Sequence, residues 1–426
     1  MSTTATDDAR IVRIDLACGM PLIVERMSGV SSAALAWLLP AGSATFDDAQ
    51  DGHATLLSEL ILRGAGALDA RDHSDALDRL GVQRSTLVAA HHLQIHATML
   101  GSRVADALPL ITSMVTSPML PAGALEPARS LALQSLDGLE DEPQQLVMLR
   151  LRERHAPKPF HRHGHGSRPV LESATLDDLR AGWERRARPK GSILAAAGAV
   201  DPEALAAQLD RLLAGFSGAA PTTERLADPD RGVWNIDDQT AQTHIGLAWD
   251  APPEGQPGSM LARLAARVLG GGSSSRLFTE VRERRGLVYS VGASYAAGRD
   301  TGMVTVYAGS TPERAQTTVD VIVEQVRALR GENADRVTED ELKRAIVGLR
   351  SGLVLSGEST SARATALAAD YFRLGRARSL TELDEEVRAV DLDAMRGWIA
   401  SHDPGEPTLV TIGPSPVQLP SASAPA

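Results

Sequence analysis

Cysteine is nearly absent from this chain of 426 residues, where Cys18 stands alone. One thiol excludes an intrachain disulfide and any zinc site made of several thiolates. Long apolar runs are missing as well: the two most apolar stretches, residues 33–39 and 193–200, fall far short of the ~20 residues that span a bilayer. Positive charge is outnumbered, 43 Lys and Arg against 54 Asp and Glu, and the net charge of −11 disfavours nucleic acid and anionic membranes as general partners. The basic stretch at 180–188 is a local exception. The amino terminus has Asp7 and Asp8 where a signal peptide would be positive, and no continuous apolar segment follows. The expected location is cytoplasmic, with the periplasm as the alternative open to a protein without disulfides.

What is present is apolar bulk. Hydrophobic residues make up 43% of the chain, which excludes global disorder and supplies core for roughly two to four domains. The chain also repeats itself. Residues 32–40, SAALAWLLP, and residues 243–252, THIGLAWDAP, are strand-like runs sharing Leu-Ala-Trp, each followed by a helical stretch, at 53–62 and 259–269. The parallel continues through glycines at 64–66 and 270–272, helices expected at 70–80 and 274–285, and a glycine after each, Gly81 and Gly286, where a left-handed cap belongs. Alternating segments at 85–100 and 289–309 read as hairpins, and helices at 105–116 and 312–329 follow.

Mixed strands and helices without strict alternation predict an α+β fold of two similar domains, each a largely antiparallel sheet packed with helices. The expected division is 1–216 for the first domain, 217–232 for a Pro- and Gly-rich linker, 233–412 for the second domain and 413–426 for a flexible tail.

In the first half, Gly52-His53-Ala54-Thr55-Leu56-Leu57-Ser58-Glu59-Leu60, ending in Arg63-Gly64, resembles the first helix of the insulinase (pitrilysin) peptidases, a family that includes mitochondrial processing peptidase. In the second half, SSSRLFTEVRERRGLVYSV at 273–291 resembles that family's most recognisable carboxy-terminal stretch, and the likeness runs from about Ile11 to Ile412. The resemblance implies a clam-shell arrangement of the two domains. Active members carry His-x-x-Glu-His on one helix, two imidazoles a turn apart holding zinc and a carboxylate acting as base on its water. Carried over, the first ligand position is Thr55, the base position Ser58, the second ligand position Glu59 and the downstream ligand position Gln134. Thr and neutral Gln are poor zinc donors, so no metal is expected in this chain.

In the family's two-chain peptidases the partner of the zinc subunit contributes an Arg and a Tyr seven residues apart. The match here is Arg282 and Tyr289 in Arg282-Glu283-Arg284-Arg285-Gly286-Leu287-Val288-Tyr289. Both are donors able to meet a peptide carbonyl, and arginine stays charged at any working pH. The neighbouring GGGSSS at 270–275 lacks the Lys-Ser/Thr ending of a phosphate loop and reads as a flexible turn with a serine helix cap; Gly271, Gly272 and Ser273 are candidate substrate contacts. All four tyrosines, Tyr289, Tyr295, Tyr307 and Tyr371, lie in the second half, but only Tyr289 is a site candidate. The rival metal signal is the histidine-rich stretch at 155–165, where no acidic residue between Glu153 and Glu172 can act as base. His92 and His96 share one face of an expected strand and read as packed polar residues.

The resemblance implies a non-catalytic, substrate-binding and oxyanion-stabilising subunit of a bacterial heterodimeric zinc metalloendopeptidase. Its homologous partner would carry the zinc, and a peptide substrate would be held as an added strand. The alternatives are a structural scaffold subunit without a role in proteolysis, and a self-sufficient metal hydrolase built on the histidine-rich stretch.

Overall fold

The computed structural model describes residues 11–330 and 336–420; Asp7 and Asp8 lie outside them. The strands are β1 (Ile11–Asp15), β2 (Pro21–Arg26), β3 (Ser32–Leu39), β4 (Gly64–Ala65), β5 (Leu68–Asp69), β6 (Gln83–Val88), β7 (Leu93–Leu100), β8 (Ile193–Gly198), β9 (Val233–Asp237), β10 (Thr243–Ala251), β11 (Val288–Ala297), β12 (Gly302–Ser310) and β13 (Thr408–Gly413). The helices are α1 (His53–Leu60), α2 (Ala70–Arg79), α3 (Val104–Thr116), α4 (Ala122–Asp137), α5 (Pro143–His155), α6 (Arg168–Ser173), α7 (Leu176–Arg186), α8 (Pro202–Leu212), α9 (Ser259–Gly270), α10 (Ala315–Ala328), α11 (Glu339–Gly357), α12 (Thr360–Leu374), α13 (Leu380–Arg388) and α14 (Leu392–Ser401). No helix among the described residues is long and apolar enough to cross a membrane.

Two compact units result, and they are not consecutive halves. The first takes the chain up to Gly138, then Lys158–Ala227 and Leu355–Ser379; the second takes Leu139–Pro157, Asp228–Val354 and the chain from Leu380 onward. A linear division at 217–232 would assign α5 to the first unit and α12 to the second, and the packing assigns them the other way. The first sheet has the order β1-β2-β8-β3-β7-β6 and the second β11-β12-β10-β13-β9. All pairs are antiparallel except β2 with β8 and β9 with β13. The shared Leu-Ala-Trp lies on β3 and β10, the middle of the two repeats, with Trp37 and Trp249 each in its unit's main core.

Strand residues alternate between faces, and in β3 both faces are buried. Leu35, Trp37 and Leu39 enter the main core with α1, α3 and α7, while Ala34, Ala36 and Leu38 form a second layer with Ile23, Ala195 and Ala197 under Ala364, Leu367 and Ala368 of α12. In the second unit α5 does the same: Val147 and Leu151 pack on Ala248, Val410 and Ile412. Small residues permit the approach. A Cβ at Gly246 would lie 3.3 Å from the Leu151 side chain, and one at Gly198 (φ 115°) 2.9 Å from that of Thr360.

α12 is also held by charge. Arg363 donates through Nε to Glu25 Oε2 at 2.8 Å and through Nη2 to the same oxygen, and both residues are 2–3% exposed. Next to them Arg378 pairs with Asp370 through two donors at 2.8 and 2.9 Å, and its carbonyl accepts from Arg363 Nη2 at 3.3 Å. Phe372 of α12 meets His92, edge to face, with ring centroids 4.4 Å apart. His92 precedes β7 rather than lying within it, and burial, with a smaller push from neighbouring His91, lowers its pKa to about 3.

The tail expected from residue 413 is anchored. Gly413 closes β13, Val417 is buried in the second core, and its N–H donates to Asn235 Oδ1 at 2.8 Å. Residues 421–426 lie outside the described residues.

Removing one partner of a buried pair strands a charge, so Glu25→Ala should lower unfolding free energy by about 3–5 kcal/mol in urea titrations, whereas Glu25→Leu with Arg363→Met should recover most of it. His92 contributes in a defined pH window. An unfolded histidine titrates near 6.5 and His92 near 3, so the unfolded chain binds the extra proton between these values; the contribution is complete above ~6.5 and is lost as pH falls toward 3. Urea titrations across that window should show His92→Gln flattening the pH dependence by up to about 1.4 kcal/mol per pH unit.

Candidate functional site

The first candidate position is the start of α1. Gly52 caps it at φ 120°, and Gly166 (φ 76°) crosses so close that a Cβ there would lie 2.4 Å from Gly52 Cα. Only glycine fits at both points, and the histidine-rich loop is thereby laid backbone to backbone over the helix. Thr55 donates its hydroxyl to the Gly164 carbonyl at 2.6 Å. Ser58 donates to the Thr55 carbonyl at 2.7 Å and is buried. Glu59, partly exposed, stands 3.6 Å from Arg63. Gln134 is exposed on α4, which packs against α1. These four side chains do not fit zinc: the Thr55 hydroxyl is committed as a donor, and a hydroxyl and a neutral amide are weak ligands.

The loop is fastened by Arg162, which is buried and donates to the carbonyls of Ser43, at 3.1 Å, and Phe46, and to Asp48. The guanidinium holds the Asp48 carboxyl below the usual range. His163 and His165 have ring centroids 5.5 Å apart, and His165 Nδ1 lies 3.3 Å from Ser135 Oγ. His155 belongs to the second unit, 2.9 Å from Thr408 Oγ1 and 3.4 Å from Asp250. Among the described residues, no three His, Cys, Asp or Glu side chains converge as a metal site.

The second candidate position is the turn carrying Arg282 and Tyr289. The helix expected at 274–285 is under-wound over part of its length: Phe278–Arg284 forms a π-helical stretch, a geometry that recurs at functional sites. Leu277 and Val281 anchor its inner face in the core and Arg282 faces solvent, its Cζ 4.8 Å from the Phe278 ring centre. Gly286 (φ 59°) reverses the chain, its N–H donating to the Arg282 carbonyl at 3.1 Å, and Leu287 N–H reaches Val281 O at 2.9 Å.

β11 then begins with a bulge. Val288 pairs with Ser310 and Ser290 with Gly309, leaving Tyr289 as the extra residue. A bulge re-aims a side chain, and Tyr289 is 66% exposed although its neighbour Val288 is buried. No hydrogen bond within the described residues involves the Arg282 guanidinium or the Tyr289 hydroxyl, so both donors are available. β11 is an edge strand, one side of its backbone pairing with no other strand among the described residues. By contrast Tyr295 and Tyr307 are occupied, with the Pro252 carbonyl at 2.7 Å and His244 at 2.9 Å.

The glycine turn packs on the same strand. A Cβ on Gly270 would lie 2.2 Å from Ala293 N, which fixes the end of α9 against β11. Gly271 N–H donates to the Arg267 carbonyl at 2.8 Å, while Gly272 and Ser273 are exposed. The turn was expected to carry a serine helix cap; Ser275 stands at the helix start, its carbonyl accepting from Thr279 N–H at 3.0 Å, but its hydroxyl donates back to the Gly272 carbonyl at 2.6 Å. Sequence reading missed both the π stretch and the bulge; the adjacent Val288 and Tyr289, one buried and one exposed ahead of the hairpin, are the signal a strict alternation overlooks.

Known proteins resemble this chain over most of its length. The family model of the peptidase M16 inactive domain matches residues 173–349. An uncharacterized zinc protease of Mycobacterium tuberculosis is 29% identical over 92% of this chain and 90% of its own length. The uncharacterized zinc protease YmxG of Bacillus subtilis is 24% identical over 93% and 97%. Among solved structures, a peptidase M16 inactive domain from Pseudomonas fluorescens superposes with a TM-score of 0.83 at 21% identity, covering 96% of this chain and 99% of that one. A protease from Helicobacter pylori gives 0.84 at 17%, covering 95% and 99%. Over about nine-tenths of its length the chain is thus similar to proteins named as zinc proteases, its fold is that of the M16 structures, and residues 173–349 match the M16 inactive domain.

Proposed function

We propose that this chain is the substrate-binding, oxyanion-stabilising half of a heterodimeric zinc metalloendopeptidase. The observation that carries the reading is the pair of backbone distortions bracketing Gly286, which leave the Arg282 guanidinium and the Tyr289 hydroxyl exposed and without hydrogen-bond partners among the described residues at the start of an edge strand. An unfolded peptide would pair with a free sheet edge through backbone hydrogen bonds, a mode that tolerates many side chains. Arg282 and Tyr289 would donate to the carbonyl oxygen as it becomes negative, lowering the barrier where charge develops. A homologous partner would carry His-x-x-Glu-His and the zinc, which activates the attacking water. The cytoplasm is the compartment proposed for the complex.

Stabilisation confined to the transition state appears in turnover rather than in assembly. In a complex with a zinc-motif homologue, Arg282→Ala and Tyr289→Phe should each lower kcat by about 10²–10³ with quenched-fluorescent peptides, at unchanged complex formation by sedimentation. Unchanged kcat in both variants would make the chain a scaffold. Metal analysis of the tag-free full chain after dialysis should find zinc far below one per chain, and hydrolysis by the chain alone should be absent; stoichiometric zinc with partner-free turnover would refute the proposal.

A further inference from the structure

Beside the glycine turn lies a small polar cleft of ≈60 Å³, lined by Arg267 and Val268 of α9, the turn residues Gly271, Gly272, Ser274 and Ser275, and Glu341, Arg344 and Ala345 of α11. Its charge is unbalanced. The one carboxylate lining it, Glu341, is committed to Arg276, at 2.7 and 2.9 Å, and to the Thr338 N–H at 2.8 Å. Arg267 and Arg344 make no ion pair or side-chain hydrogen bond within the described residues. The N–H groups of the lining residues Gly272 and Ser274 are likewise without acceptors among the described residues.

Arg267 occupies space made for it. A Cβ at Gly348 would lie 2.6 Å from Arg267 Nη2, so glycine at that point of α11 lets the guanidinium lie between the helices. Two arginines around free backbone N–H groups make a concave anion receptor, since guanidinium matches a planar oxyanion with paired donors. The volume admits a single carboxylate rather than a nucleotide. The position suits a peptide: Gly270, at the end of α9, touches Ala293, four residues along β11 from Tyr289, a span of about 14 Å or four residues of extended chain.

We infer that this cleft binds a carboxylate of the peptide substrate, an acidic side chain or the free C-terminus, about four residues from the residue beside Tyr289. The inference rests on the peptide-binding reading and adds a charge preference to it. The test is fluorescence anisotropy on the full chain, with labelled peptides identical but for one Glu or Gln at that spacing, each made with free and amidated C-termini. A peptide bearing the recognised carboxylate should bind about ten-fold tighter than its neutral counterpart at low ionic strength, with the advantage shrinking as salt rises. Arg344→Gln, on an exposed helix position, and the double variant Arg267→Gln, Arg344→Gln should erase the advantage and leave the affinity of the neutral peptide unchanged. The Glu/Gln comparison reports a side chain, and the acid/amide comparison reports the terminus. Equal affinities across all four peptides would overturn the inference while leaving peptide binding intact; no binding by any peptide would overturn both.

Discussion

A sheet with two apolar faces is stable only when each face is covered, and in each unit the second cover is a single helix from a distant part of the sequence. α12 lies on an alanine-rich layer of the first sheet and α5 on the corresponding layer of the second. The fit depends on small residues, because alanine and glycine let helix and sheet backbones come close. Apolar contact alone is non-directional, and the buried Glu25–Arg363 pair adds a directional contact between α12 and β2. The central strands are closed on both faces, and β11, at one edge of the second sheet, carries Tyr289.

The two candidate positions have opposite local physics. At the start of α1 the polar atoms are turned inward: Thr55 answers Gly164, Ser58 answers Thr55, and the loop above is pinned by Arg162. That arrangement leaves no strong donor set for a metal. Around Gly286 the chain does the reverse. A π stretch and a bulge, both departures from the most regular geometry, leave an arginine and a tyrosine facing solvent while Val281 and Val288 beside them stay in the core. Exposed donors on a rigidly anchored turn are suited to meeting charge that develops on a bound group.

Much of this was legible in the sequence, for identifiable reasons. The repeated Leu-Ala-Trp marks the central strand of each sheet because both faces of those strands are buried, which turns alternation into an unbroken apolar run. Gly81 and Gly286 were recognisable as left-handed positions and have φ of 69° and 59°. The exchange of α5 and α12 was not, because it rests on contacts such as Glu25 with Arg363, 338 residues apart, which no local pattern encodes. The π stretch was not legible because FTEVRER has ordinary helical composition. The tail was read as loose from its Pro and Ser content, and Val417, buried beside Asn235, holds it.

The central claim, that the Gly286 turn faces peptide, is tested most directly by photocross-linking. A benzophenone amino acid introduced by Tyr289→p-benzoylphenylalanine, in the full chain mixed with a zinc-bearing homologue, should capture an unfolded peptide in a covalent adduct that maps to position 289. Excess unlabelled peptide should compete the adduct away. Cleavage of the peptide at full rate by the same mixture, with no adduct at position 289, would contradict the account.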